Sequence, residues 1–193
     1  MTTTEVKRVM TPERFAQGYT WSGYMASIKA NKDRFQQNYD EFQVAPDAVP
    51  FFEAFNAKKG PVKLVAIGED WCSDVVRGLP VAARLAEAAG FDLRIFPRDA
   101  NLDLMNEYLW RHEYLSIPVF VFFDKDWKEL GHWIERPATG YKFVADVQEE
   151  LTKSGANAEE AAAASRERRA AVQKEWMHET IRELKEQILY RVM

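Results

Sequence analysis

The pairing of residues 62–67 (VKLVAI) with residues 93–96 (LRIF), separated by a helical pattern over 73–89, constrains this chain more than any other feature. Both runs are short and apolar, and the first ends at Gly68, a residue that breaks strands. Strand, helix, strand at this spacing predicts a βαβ unit. Its two strands must lie parallel, because strands running the same way need a long crossover between them. Residues 117–123 (IPVFVFF) form the strongest strand pattern in the chain, and 128–135 (KELGHWIE) follow after the short connection DKDW, which predicts an antiparallel hairpin. Helical patterns over 102–111 and 141–151 complete the order β-α-β, α, β-β-α. The expected fold class is α/β, built on a central mixed sheet.

Helices are expected on both sides of this core. Thr11, Pro12 and Glu13 read as a helix start, since Thr caps free N–H groups and Pro tolerates the first helical position. Tyr24, Ile28, Phe35, Tyr39 and Phe42 recur near helical spacing and predict one amphipathic helix over 21–42. Val49, Phe52 and Phe55 predict another over 46–59, stopping at Gly60. Beyond Gly155 the chain becomes rich in Ala, Glu and Arg, and Met177, Ile181, Leu184 and Ile188 then form an apolar stripe, predicting one long C-terminal helix. That stripe either packs on its own domain or joins a second copy as a homodimer. The expected organisation is a helical extension over 1–60, a core domain over 61–152 and the C-terminal helix over 156–193.

Composition excludes several functions. The net charge of −4, from 26 basic and 30 acidic residues, gives no electrostatic reason to bind nucleic acid. No run of 18 apolar residues exists to cross a membrane, and the start MTTTEVKRVMTPERF lacks the apolar core of a signal peptide. The single cysteine cannot form an intramolecular disulfide, and a free thiol belongs in a reducing compartment, so a soluble cytoplasmic protein is expected. His112, His132 and His178 show no ligand spacing among themselves or with Cys72, so neither a metal nor another cofactor is expected. Neither a Gly-rich phosphate loop nor a nucleophilic serine signature is present.

The informative junction is Glu69-Asp70-Trp71-Cys72-Ser73-Asp74. Cys72 follows a strand and a turn and opens the helix, where free backbone N–H groups and the positive end of the helix dipole stabilise a thiolate. Asp70 and Asp74 bring opposing negative charge, whereas Arg77, one turn along, offsets it; the sign of the net shift is open at this stage. Several residues have two readings. Cys72 is either a buried, inert residue or an accessible thiol, and Trp71 either a core aromatic or a shield for the sulfur. Asp74 reads as an ordinary first-turn acid, and Arg98 with Asp99 as a surface ion pair or as groups facing the site.

Trp71-Cys72 after an apolar strand, with Ser116-Ile117-Pro118 about 45 residues later at the head of the next strong strand, resembles the thioredoxin superfamily. The acidic form Asp70-Trp71-Cys72-Ser73-Asp74 is most similar to bacterial thioredoxin-like proteins with a Trp-Cys-x-Asp-Cys motif. The stretch from Arg98-Asp99 through Asp103-Leu104-Met105 to Ile117-Pro118 resembles theirs too, and the likeness covers residues 61–151. It implies a thioredoxin-like three-layer fold, a cis Pro118 facing the cysteine and an Ile117 backbone that pairs with extended substrates. The departures are specific: Val75 stands where the family has its second cysteine, and Ala66 where it has a buried acid. Exchange between two thiols within the motif is therefore excluded. The resemblance implies a monothiol redox protein, in which Cys72 exchanges with a protein disulfide or a small thiol such as glutathione and an external thiol resolves the adduct. Trp71, Asp70, Ser73, Asp74 and Arg77 would support the sulfur, with Ile117 and Pro118 binding the substrate. The alternative is a thioredoxin fold kept as a binding or assembly module. A third option, oxidation of Cys72 to a sulfenic acid in a one-cysteine peroxidase, is opposed by the lack of a threonine shortly before the cysteine.

Overall fold

The computed structural model describes residues 9–189 and 192, without the side chains at 187 and 188. The first eight residues of the opening stretch and the Ile188 side chain of the apolar stripe lie outside the described residues. Four strands, β1 (Lys63–Gly68), β2 (Asp92–Pro97), β3 (Val119–Phe123) and β4 (Glu129–Ile134), form one mixed sheet in the order β2-β1-β3-β4. β1 pairs parallel with β2, as a βαβ unit requires, and antiparallel with β3, which pairs antiparallel with β4. Every residue of β3 is buried, the signature of a strand covered on both faces.

Nine helices surround the sheet among the described residues: α1 (Pro12–Phe15), α2 (Trp21–Ser27), α3 (Lys32–Glu41), α4 (Val49–Lys59), α5 (Ser73–Ala89), α6 (Leu102–Met105), α7 (Ala138–Lys153), α8 (Ala158–Ala171) and α9 (Gln173–Glu183). The central one is α5, which packs against β1 and β2 and against α3, α4 and α9. Pro80 sits inside α5 and has no N–H to give the carbonyl of Val76 one turn back. The side chain of Asn38 on α3 takes that role, its Nδ2 donating to Val76 O at 2.9 Å in a buried contact. A helix-breaking residue is thereby accommodated by an amide from a neighbouring helix.

Three expected helices are redrawn by tertiary contacts. The 21–42 pattern splits into α2 and α3, because the amides of Lys29 and Ala30 donate to the Asp70 carboxylate at 2.8 and 2.9 Å instead of to the helix. Asn31 then adopts a left-handed conformation (φ 56°) before α3 begins. The 102–111 pattern yields only the one turn of α6; Arg111 and His112 both take positive φ, and the Trp110 amide donates to Tyr114 O, folding the segment back toward β3. The C-terminal region runs as α8 and α9, which meet at Val172, and π-helical turns extend α9 over Leu184–Leu189.

Met177, Ile181 and Leu184 of the apolar stripe are buried within the chain's own core, so the stripe is spent internally. Docking of α9 is reinforced by the buried Glu183, which accepts from Trp133 Nε1 at 2.9 Å and from the Ala138 amide at the start of α7 at 2.7 Å. Among the described residues, no helix is long and apolar enough to cross a membrane.

Candidate functional site

Cys72 is the N-cap of α5, with extended backbone (φ −83°, ψ 123°); its side chain makes no capping hydrogen bond, but the Val75 and Asp74 amides of the first helical turn act on its sulfur. The side chain is half-buried, and its thiol donates to the carbonyl of Ile117 across a 3.8 Å gap. The Ile117–Pro118 peptide bond is cis. Pro118 is held in place by two contacts. Its carbonyl accepts from the Glu135 amide at 2.7 Å, and its ring lies over Gly78 of α5, where an added Cβ would come within 2.9 Å of Pro118 Cγ. Gly78 is what allows the proline to approach the helix.

The sign of the thiol shift is set by packing. Burial pushes the Cys72 thiol above its ordinary value, the amides of Val75 and Asp74 pull it down, and the charges of Asp74 and Glu135 push it further up. The net direction is upward, so at neutral pH the resting sulfur is a thiol. The helix-end stabilisation that the sequence leads one to expect is present, but desolvation outweighs it.

Asp74, read from sequence as an ordinary first-turn acid, is instead buried at the centre of an ionic cluster. Its Oδ1 lies 2.7 Å from Arg77 Nη2 and its Oδ2 2.6 Å from Arg136 Nη2. Arg136 also pairs with Glu135, whose other oxygen accepts from the Tyr141 hydroxyl at 3.0 Å. Burial lowers the Arg77 pKa, a trend that the Asp74 charge opposes, and its guanidinium stacks 4.7 Å from the Trp176 ring of α9. Burial, followed by the charge of Glu135, raises the Tyr141 phenol far above its usual range. Glu135, Arg136 and Tyr141 carry no signal in the sequence, because all three follow β4 and reach the motif only through the sheet.

The remaining predicted residues divide by task. Asp70 faces away from the sulfur in its bonding, holding the Lys29 and Ala30 amides, while its own carbonyl accepts from Asn31 Nδ2 at 2.8 Å. Ser73 begins α5 at the rim of a cleft. Val75 is fully buried against Gly68, where any Cβ would meet its Cγ1 at 2.7 Å, and Ala66 is fully buried within β1. Trp71 is 54% exposed, with the Arg98 guanidinium 5.0 Å above its ring. Arg98 therefore does both things weighed for it, pairing with Asp99 at 2.7 Å and reaching the site, where its Nη1 also donates to Leu115 O at 3.3 Å. Tyr114 and Leu115, shortly before the Ile117–Pro118 bond in the chain, are exposed as well. Among the described residues, no group of three or more His, Cys, Asp or Glu side chains is placed to hold a metal ion.

A mixed sheet with a cysteine capping its first crossover helix, facing an Ile-Pro bond at the head of the next strand, defines a thioredoxin-like protein. The family described as Thioredoxin matches residues 18–149, and the chain belongs to it. The match begins within the N-terminal helices. Among solved structures, the chain is similar to a protein of unknown function, PA1234, from Pseudomonas aeruginosa, with a TM-score of 0.63 and 16% identity over 89% of this chain and 92% of that one. It is also similar to an HIV epitope-scaffold, with a TM-score of 0.59 and 18% identity over 90% of this chain and 93% of that one. No curated protein matches the sequence. At these identities the structural likeness establishes the fold alone.

Proposed function

We propose that the protein is a monothiol redox protein that forms mixed disulfides through Cys72. The observation that carries this reading is a half-buried sulfur at the N-terminus of α5, 3.8 Å from the Ile117 carbonyl and flanked by the exposed Trp71. The deprotonated sulfur attacks one sulfur of a disulfide; a bond to Cys72 forms, the original disulfide bond breaks and the departing thiolate takes up a proton. An external thiol then attacks the adduct, regenerating Cys72 and leaving as part of a new disulfide, since Val75 supplies no internal resolving group. The backbone beside Pro118 and the face of Trp71 are the surfaces on which an extended partner lies.

Because burial raises the thiol pKa, exchange is slow at neutral pH and accelerates as pH rises. The test is mass spectrometry of the native protein after incubation with glutathione disulfide over a range of pH. One adduct on Cys72, forming faster with rising pH, supports the reading. An adduct that appears only after unfolding shows a sealed sulfur and defeats it.

A second reading, a binding module without redox chemistry, is favoured by the upward shift of the thiol together with the exposed Trp71, Tyr114 and Leu115. Under it, Cys72→Ser retains capture of the partner and Trp71→Ala loses it. Under the redox reading, Cys72→Ser abolishes the covalent complex.

A further inference from the structure

Beside the motif, the start of α5 and the C-terminal helix α8 face each other across a cleft of about 800 Å³, a volume within the range of small-molecule sites. Its lining sets four guanidiniums, those of Arg34, Arg77, Arg166 and Arg169, against two carboxylates, those of Asp74 and Glu167, on a chain whose net charge is −4. An excess of positive charge confined to one concavity of an acidic protein focuses its field on anions.

Three of the four arginines in this cleft are not consumed internally. Among the described residues, neither Arg34, Arg166 nor Arg169 makes an ion pair. Arg34 donates to Asn31 Oδ1 at 3.3 Å and Arg169 to Ser165 O at 3.2 Å, which leaves most of each fork unused. Arg77 is 5% exposed and already committed, its Nη2 paired with Asp74 Oδ1 at 2.7 Å. The opposite wall is built to stay open. α8 buries none of its residues and turns Ala158, Ala161, Ala162 and Ala170 to the cleft, while Arg168 anchors it to Glu150 of α7 through two bonds of 2.7 and 2.9 Å. Arginine forks match carboxylates in bidentate fashion, and the rim of the cleft includes Ser73, the residue after Cys72.

We infer that this cleft is the seat of an anionic low-molecular-weight thiol carrying carboxylates, held by Arg166, Arg169 and Arg34. This inference rests on the proposed redox reading and names the external thiol that reading requires. In the disulfide form of such a ligand, the Cys72 thiolate attacks the sulfur nearer to it. The ligand's disulfide bond breaks, one half stays on Cys72 and the other leaves as a thiolate that takes a proton; a second molecule of the thiol reverses the capture, forming the ligand disulfide and freeing Cys72.

S-Methylglutathione, which keeps both carboxylates and cannot exchange, is the probe for titration calorimetry with the full chain. Saturable binding is expected, weakening with added salt and falling about tenfold or more in the Arg166→Ala/Arg169→Ala double variant, the scale of one lost charge-assisted bond. The dimethyl ester of the probe, with its carboxylates neutralised, binds worse in parallel. Circular dichroism of the variant confirms the fold, and the ester result on the unaltered chain stands whether or not the variant folds. Absence of binding in the millimolar range, equal affinity for the ester, or unchanged affinity in the folded variant overturns the proposal. The adduct assay on Cys72 separates it from the redox reading: an adduct without probe binding removes the cleft and keeps the chemistry, whereas probe binding without an adduct keeps the cleft and removes the chemistry.

Discussion

Replacing Asp74 by Asn separates the structural task of this residue from its electrostatic effect on the sulfur. The carboxylate is 5% exposed and shared between Arg77 at 2.7 Å and Arg136 at 2.6 Å, so the substitution leaves two guanidiniums with only Glu135 to offset them. Removing one member of a buried ion pair costs about 3–5 kcal/mol. Asn keeps the shape and one acceptor oxygen, which places the cost near the lower end, about 3 kcal/mol. With a urea dependence of about 2–3 kcal/mol per molar, the unfolding midpoint falls by roughly 1 M or more. The same change removes a negative charge that raises the Cys72 thiol, so the thiolate fraction at neutral pH grows and alkylation of the native protein quickens. Less stable yet more reactive is the expected signature. It is read by urea unfolding and by the rate of iodoacetamide labelling in the absence of denaturant, with a check that low urea does not alter that rate. A loss of stability under about 0.5 kcal/mol, well below the buried-pair range, refutes the buried cluster. Slower or unchanged labelling refutes the electrostatic account of the thiol.

Three further outcomes follow from particular contacts. The folded Cys72 thiol lies above its unfolded value, so the folded state holds its proton longer and stability declines as pH rises past the ordinary thiol value of 9.0; thermal melts across this range should show a shallower decline for Cys72→Ser, and identical slopes would contradict the shift. Gly78→Ala gains about 1 kcal/mol of helix propensity but drives a Cβ to 2.9 Å from the Pro118 ring, an overpacking cost of about 1–3 kcal/mol; a net loss of stability with altered Cys72 labelling is expected, and a stabilised protein with unchanged labelling would count against the close approach. Asn38→Ala leaves the Val76 carbonyl without its donor next to Pro80 and should cost about 1–3 kcal/mol in urea unfolding, whereas no change would mean that another group satisfies that carbonyl.

The amino-acid sequence by itself determined the β-α-β order, the hairpin that follows it, Cys72 at a helix start and Ile117-Pro118 at the head of a strand, because these are local matters of periodicity, turn residues and strand propensity. Only the tertiary structure decided what surrounds the sulfur. A continuous helical pattern over 21–42 gave way to two helices once Asp70, some 40 residues away, took the Lys29 and Ala30 amides. Asp74 became the centre of a buried cluster once Arg136 arrived from the far side of the sheet. The direction of the Cys72 shift depends on how much water the packed chain removes from one atom and on which distant charges it brings near. Desolvation and through-space charge are properties of three-dimensional neighbours, and no spacing along the chain encodes them.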